Sequence, residues 1–323
     1  MSKPPNPWRV CIAPMLDCTD RHYRYFMRLM TQHTRLYTEM ITTGALLYSN
    51  PERFLAYHPA EHPLALQLGG SDPKALAQCA QLAASYGYTE VNLNVGCPSE
   101  RVKSGKFGAC LMAEPTLVAE CVSAMRNACQ IPVTVKTRLG IDDYDSYEFL
   151  ANFIAQVTQA GCQHFIIHAR KAWLTGLSPK ENREIPPLCY ERVHQIKKDF
   201  ADLTIIINGG IKDLAEMHQQ LNTLDGVMVG RAAYQEPYLF AQIDQQLFGS
   251  PEPILEREQI LARLLPYIEL QLSQGVRLHH ITRHLLSLYN GQPGARFWRR
   301  SLTTAANMPA AEGLKYLKDL KLL

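Results

Sequence analysis

Eight short apolar runs rich in β-branched residues recur along the chain, separated by segments whose apolar residues fall three and four apart. The runs are RVCIAPM (9–15), LYTEM (36–40), LALQLGG (64–70), EVNLNVG (90–96), PVTVKTRLG (132–140), HFIIHAR (164–170), LTIIINGG (203–210) and GVMVGRAA (226–233). The segments between them carry helix signals. In SDPKALAQCAQLAASYGY, Ser71 or Asp72 can cap, Pro73 suits the first turn and Gly87 stands near the end. EPTLVAECVSAMRNACQ keeps the helical step and closes at Pro132, and DSYEFLANFIAQVTQAG has Gly161 just past its end. Strand–helix alternation repeated eight times over roughly 240 residues predicts an α/β protein of the (β/α)8 TIM-barrel class. The rival, an open doubly wound sheet, would carry a Gly-rich turn after its first strand; this chain has APMLDCTD there, without GxGxxG. The barrel is expected over residues 1–248, with a C-terminal all-helical domain over 249–323.

A barrel gathers its chemistry where strands end, and these strand ends are polar: Glu39, Gln67, Asn92, Asn94, Cys97, Lys136, Arg138, His168, Arg170, Asn208 and Arg231. Side chains two apart on a strand share a face, so Lys136 and Arg138 should point the same way. The most unusual strand exit is NLNVGCPSERV (92–102). Pro98 fixes its own φ and pushes Cys97 out of the helical region, while Gly96 admits close backbone approach. A thiol is thereby held on a turn at a strand end.

The usual phosphate site of a barrel lies on the loops after strands seven and eight. Here these loops are INGGIKD and VGRAAYQ, with Gly209, Gly210 and Gly230 to bring main-chain N–H groups close to an anion and Arg231 to pair with it. A helix N-terminus is expected after each loop, which would favour negative charge. With Lys136 and Gln67 in the same mouth, a phosphorylated ring cofactor fits, and flavin mononucleotide (FMN) is the natural candidate, with Lys136 near its N1/O2 edge. A phosphosugar fits these residues as well.

Composition narrows the setting. A hydrophobic content of 46% and a charged content of 20% are ordinary for a soluble globular protein. No apolar stretch approaches the ~20 residues that span a membrane, and MSKPPNPWRV lacks the apolar core of a secretion signal. Nine cysteines without a CxxC pair argue against a disulfide frame or a metal site, so a reducing cytoplasm is expected. Net charge is +3 but unevenly spread: residues 251–323 hold ten Lys/Arg against six acids. That asymmetry points to an anionic partner at the C-terminal end.

Taken together, APMLDCTDRHYRYFMR, LNVGCPSERVKSGKFGACLM, VTVKTRLGID, IIHARKAW, INGGIK and GVMVGRAAY resemble the tRNA-dihydrouridine synthases across nearly the whole chain. NREIPPL after KAWLTGLSPKE resembles the A-type bacterial subfamily, which acts on positions 20 and 20a of the tRNA D-loop. The resemblance implies a barrel with bound FMN, a helical domain that helps hold tRNA, and NADPH as transient reductant. It implies FMN contacts at Pro14, Met15, Leu16, Gln67, Lys136, His168, Asn208, Gly209, Gly210, Gly230 and Arg231. It makes Cys97 the proton donor and places tRNA contacts at Asn94, Lys180, Arg183, Arg296 and Arg299. Arg138 joins the substrate side through its alternation with Lys136, as a stabiliser of charge on the uracil carbonyls, the alternative being that it pairs an acid. No metal is expected, no membrane partner, and a monomer.

The implied chemistry is consistent with these residue types. Reducing the C5–C6 bond of uracil needs hydride at C6, from flavin N5, and a proton at C5. A thiol ordinarily titrates near 8.5 and so carries its proton at neutral pH without a special neighbour. No Rossmann fingerprint is present, so NADPH is expected to visit the flavin and leave before tRNA arrives. The target base must leave its stack at a cost of a few kcal/mol, which backbone contacts must offset. The loop RKAWLTGLSPKENRE, with Arg170, Lys171, Trp173, Lys180 and Arg183, and the run RFWRR, with Arg296 and Arg299 one helical turn apart, can supply those contacts. Trp298 is expected to pack inside the helical domain, and His279, His280 and His284 to form a solvated basic face. The cysteine loop, with Gly105 and Gly108 amid Arg101, Lys103 and Lys106, is expected to move and close on a flipped base. The competing readings are a dihydroorotate dehydrogenase-like flavoprotein and a non-catalytic tRNA-binding protein.

Overall fold

The computed structural model describes residues 6–99, 102 and 105–323. Eight parallel strands follow one another in the expected places: β1 (Val10–Ile12), β2 (Leu36–Thr42), β3 (Leu64–Gly69), β4 (Glu90–Val95), β5 (Val133–Arg138), β6 (His164–His168), β7 (Thr204–Asn208) and β8 (Gly226–Val229). From β2 to β8 each pairs with its neighbours in sequence, and β1 pairs with β8. A parallel bridge between Cys11 and Arg35 closes the ring: Ile12 N donates to Arg35 O (2.9 Å) and Arg35 N to Val10 O (3.0 Å). Helices lie between consecutive strands. Asp72, not Ser71, caps the Pro73–Ser85 helix, accepting from Ala75 N at 2.6 Å. Ser146 caps Tyr147–Gln159.

Period-two alternation decides what the barrel holds. On β4, Val91, Leu93 and Val95 face the outer helices, and Glu90, Asn92 and Asn94 face the axis; on β5, Val133 and Val135 alternate with Thr134, Lys136 and Arg138. The apolar part of the interior is small: Cys11, Ala13, Tyr37, Ala65, Ile166, Ile206 and Met228. The rest is polar and satisfied internally. At the base, the Glu90 carboxylate, 0% exposed, accepts from Tyr37 OH (2.8 Å), Thr134 Oγ1 (2.6 Å) and Trp8 Nε1 (2.7 Å), and pairs with Arg35 Nη1 at 3.2 Å.

Beyond Phe248 the chain is helical, in Arg257–Ser273, Leu278–Thr282, Ala295–Ala306 and Ala310–Asp319. Its apolar residues, Trp298 and Leu302 included, belong to the same core as the barrel's outer layer, so this segment is packed onto the barrel. Trp298 donates to Leu285 O at 2.8 Å from a buried site, as its expected packing role requires. Polar docking centres on the first barrel helix, Arg21–Arg28. Its N-cap, Asp20, accepts from Arg283 Nη2 (2.6 Å) and lies 3.0 Å from His284 Nε2. Tyr25 and Tyr267 stack with centroids 3.9 Å apart. His284 is therefore buried in this junction, contrary to the solvated face expected of the three histidines. No helix among the described residues is long and apolar enough to cross a membrane.

Removing one member of a buried ionic cluster leaves the others unmatched, which costs roughly 3–5 kcal/mol. Glu90→Ala should lower unfolding free energy by about that amount in urea titrations. A loss below about 1 kcal/mol would show that Arg35, Trp8 and Thr134 find other acceptors.

Candidate active site

The C-terminal ends of the strands bring most of the sequence-selected residues into one mouth. Gln67, Asn94, Lys136, His168 and Asn208 occupy inward positions near the tops of β3 to β7. Lys136 Nζ donates to Asn208 Oδ1 at 3.0 Å, and Asn208 Nδ2 to Met228 O at 2.8 Å, so β5, β7 and β8 are tied together across the mouth. Burial, with the Arg138 charge second, pushes the Lys136 ammonium down to about 7. Burial, then Arg138 and Lys136, pushes His168 well below the usual imidazole range, so it stands neutral. An anion entering here meets a lysine short of counter-charge.

The floor for such an anion is main chain. Gly209 has φ +110°, and a Cβ on it would lie 2.5 Å from the His168 ring; Gly210 has φ +76°, and a Cβ there would lie 2.5 Å from Leu188. Side chains are excluded at both positions, leaving the backbone bare. Tyr190 OH holds Gly209 O at 2.8 Å. Arg231 opens a five-residue helix, Arg231–Gln235, behind Gly230, and no side chain caps it. Its guanidinium is half-exposed and pairs with Glu184 at 2.6 Å, an exposed contact weak enough to exchange for a phosphate. The helix after β7 differs from expectation. Asp213 caps Leu214–Leu221, accepting from Glu216 N at 2.9 Å, so that terminus already has its negative partner. Anion binding therefore falls to the loops and side chains, not to two helix dipoles. Lysine, amide, bare glycine backbone and arginine together suit a flavin phosphate and the electron-rich edge of its ring.

Across the mouth stands the cysteine turn. Asn94 Oδ1 accepts from Gly96 N (3.1 Å) and Cys97 N (3.0 Å), while Ala109 N donates to Cys97 O at 2.9 Å. Gly108, at φ +75°, lets that return segment close in, since a Cβ would lie 2.5 Å from Cys97 O. The thiol is partly exposed, with Ser99 Oγ at 3.5 Å. Arg101 and Lys103, expected to charge this loop, lie outside the described residues.

Arg138 shares the inward face with Lys136 but is only 3% exposed. It donates from Nε to Gly96 O (2.9 Å) and from Nη1 to Lys171 O (3.0 Å) and Asn182 O (2.9 Å), bracing the cysteine turn against the loop after β6. Asn182, fully buried, folds that loop by exchanging hydrogen bonds with Trp173. Sequence reading missed it, because a polar residue in a charged loop carries no periodic signal. Of the loop's cations, Arg170 donates to the Glu184 and Pro186 carbonyls, and Lys171 pairs with Asp145 at 3.1 Å over the Trp173 ring. Lys180 and Arg183 remain exposed, Arg183 within electrostatic reach of Arg231, Cys97 and Cys18. Pro14 and Met15 are half-buried beside the mouth and Leu16 is 69% exposed. Arg296 and Arg299 are exposed on the Ala295–Ala306 helix, away from any ion pair among the described residues. Also among the described residues, no cluster of three His, Cys, Asp or Glu could hold a metal.

Comparisons with known proteins bear on the fold and the family. Morphinone reductase, a solved structure, aligns over 76% of this chain and 88% of its own with a TM-score of 0.52 at 14% identity, a likeness of fold alone. A protein of Vibrio vulnificus named tRNA-dihydrouridine(20/20a) synthase is 62% identical over 312 residues, 96% of this chain and 95% of the relative. One of Escherichia coli with the same name is 60% identical over 306 residues, 94% of this chain and 92% of the relative. The family model described as dihydrouridine synthase matches residues 11–321, and the chain belongs to that family.

Proposed function

We propose that this protein reduces the C5–C6 double bond of uridine at positions 20 and 20a in the D-loop of tRNA, with FMN as its flavin and NADPH as reductant. The observation that carries the reading is the pairing, in one mouth, of an anion-receptive wall with a thiol fixed on a turn facing it. The names of the relatives at about 60% identity support the substrate and the two positions. A bound flavin supplies the hydride and is recharged by NADPH. Lys136, Asn208 and Gln67 hold its ring edge, and Gly209, Gly210, Gly230 and Arg231 its phosphate; His168, Pro14, Met15 and Leu16 bound the pocket. Cys97 Sγ holds the proton destined for C5 of the uracil, and Asn94 with the Arg138-braced turn keeps that sulfur in place. Lys180, Arg183, Arg296 and Arg299 offset the cost of extracting the base by meeting the RNA backbone. Residues 249–323 act as the tRNA-holding domain, and the protein works as a monomer in the cytoplasm. NADPH and tRNA use the same face in turn.

Anaerobic visible spectra test the whole reading. Flavin bands should bleach with NADPH and return with unmodified tRNA. Bands that bleach but never return would direct the search to another acceptor, and a protein that FMN cannot reconstitute would sink the redox reading. In Cys97→Ala, bleaching and tRNA binding should persist while the return slows by roughly 10²–10⁴-fold, the usual contribution of a positioned acid.

Two further outcomes follow from the site. Replacing both Arg296 and Arg299 by alanine should weaken tRNA binding and reduce the slope of log affinity against log salt by about 1–2. An unchanged slope would remove the Ala295–Ala306 helix from the interface. For Lys136, the unfolded chain keeps the proton up to about 10.4 while the folded protein releases it near 7. Between those values the unfolded state binds more protons, so this group's contribution to stability rises with pH. Flavin-free wild type should therefore gain on the order of 5 °C in melting temperature from pH 7 to 9 relative to Lys136→Met. Parallel pH profiles would show that the ammonium is solvated.

A further inference from the structure

Inward-facing side chains of β3, β4 and β5 form a hydrogen-bond chain that runs in one direction. Asn94 Nδ2 donates to Gln67 Oε1 (2.9 Å), Gln67 Nε2 to Asn92 Oδ1 (2.7 Å), Asn92 Nδ2 to Thr134 Oγ1 (2.8 Å), and Thr134 Oγ1 to Glu90 Oε1 (2.6 Å). All five residues are buried. A carboxamide can sit either way round, so the direction has to be imposed from the ends.

Both ends are unambiguous. At the mouth, Asn94 Oδ1 faces the N–H groups of Gly96 and Cys97, which can only donate. Asn94 must therefore turn its NH2 to Gln67, which must show oxygen to Asn94 and NH2 to Asn92, and so on down the chain. At the base, Glu90 faces the indole N–H of Trp8 and the Arg35 guanidinium, which also only donate, together with Tyr37 OH. Glu90 is held as an acceptor, the Thr134 proton goes to it, and the Thr134 lone pairs are left for Asn92. Turning any one amide would set donor against donor and acceptor against acceptor among buried side chains, which is costly. Glu90 and Asn94 are four strand residues apart, about 13 Å. A carboxylate at the bottom of the barrel and two main-chain amides at the top thus hold the same chain direction from opposite ends.

The consequence falls on the thiol. Its backbone is gripped on the N–H side by Asn94 and on the carbonyl side by Ala109, so rotation about Cα–Cβ is the main freedom left to Sγ. Where the S–H bond can point is set by how the turn is oriented. We infer that Glu90 and Thr134 are positioning residues for Cys97, acting through the Asn92–Gln67–Asn94 chain; this rests on the reading of Cys97 as proton donor.

Thr134→Val tests it, since valine keeps the shape and deletes the link between Asn92 and Glu90, whereas removing Glu90 would break the core. Reduction of the bound flavin by NADPH does not use the thiol, but the chain passes through Gln67 at the flavin edge, so this half-reaction should slow by no more than about threefold, with tRNA affinity within about twofold of wild type. Re-oxidation of the reduced flavin by tRNA should slow roughly ten- to a hundredfold, as expected of a misplaced group. Thr134→Ser, which restores the hydroxyl, should recover to within about threefold. Full-rate re-oxidation in Thr134→Val, or equal slowing of both half-reactions, would overturn the inference while leaving the proposed function standing. Wild-type protein that tRNA cannot re-oxidise would overturn both. Should the valine variant fail to fold, Thr134→Ala carries the same comparison. In the wild type itself, the Gly96 and Cys97 amide hydrogens must exchange slowly; exchange at the rate of an open turn would overturn the inference by itself.

Discussion

A closed parallel barrel has to fill its own interior, and here the filling is anchored on one carboxylate. Glu90 sits at the base with no solvent, which is tolerable only because Trp8, Arg35, Tyr37 and Thr134 all direct donors to it. Those donors come from before β1, from the residue that closes the ring, and from β2 and β5. The carboxylate therefore ties together the segments that make the barrel closed. The same arrangement admits polar groups above it, since each one has a partner below. A barrel filled with leucine would be easier to stabilise, but it would offer no polar residues at its mouth.

The fold was legible in the sequence because the signal is repeated. Eight β-branched runs at similar spacing leave few architectures, and each strand is observed within its expected run or, for β2, two residues beyond it. The polar strand ends were legible for the same reason: Asn92, Asn94, Lys136 and Arg138 break an otherwise apolar alternation. What those residues do to one another was not. That Arg138 gives its donors to three carbonyls, and that His284 is buried against Asp20, depends on loops and helices distant in sequence. Thr134 and Tyr37 gave no warning, since both are ordinary strand residues and their polar ends matter only once β4 lies between them.

The mouth carries groups that weaken the folded state. Lys136, Arg138 and His168 are each held below their ordinary protonation range by burial first; the Arg138 charge adds to this at Lys136 and His168, and the Arg183 charge at all three. Nothing in the packing of the barrel calls for such a cluster. Its sense is electrostatic: a site of low polarity with an excess of donors is complementary to an anion and poorly complementary to water. The stability lost there is offset by the outer core, where apolar residues of every strand meet the surrounding helices.

The junction with the helical tail extends the same logic to the rim. Asp20 has two duties: it caps the helix that follows the β1 loop, accepting from His22 N (2.9 Å) and Tyr23 N (3.0 Å), and it receives Arg283 and His284 from the tail. Burial would raise its carboxyl, but the hydrogen bond and charge of His284, with Tyr23 N and Arg283, outweigh that and hold it far below the ordinary range. One residue therefore fixes both the loop that carries Pro14, Met15 and Leu16 and the position of the tail behind it. Displacing the tail would leave a buried charge without its partners at the start of the first helix. The basic helical segment is thus held in a fixed relation to the loop after β1 at the mouth of the barrel, by an ion pair and a buried imidazole that both converge on Asp20.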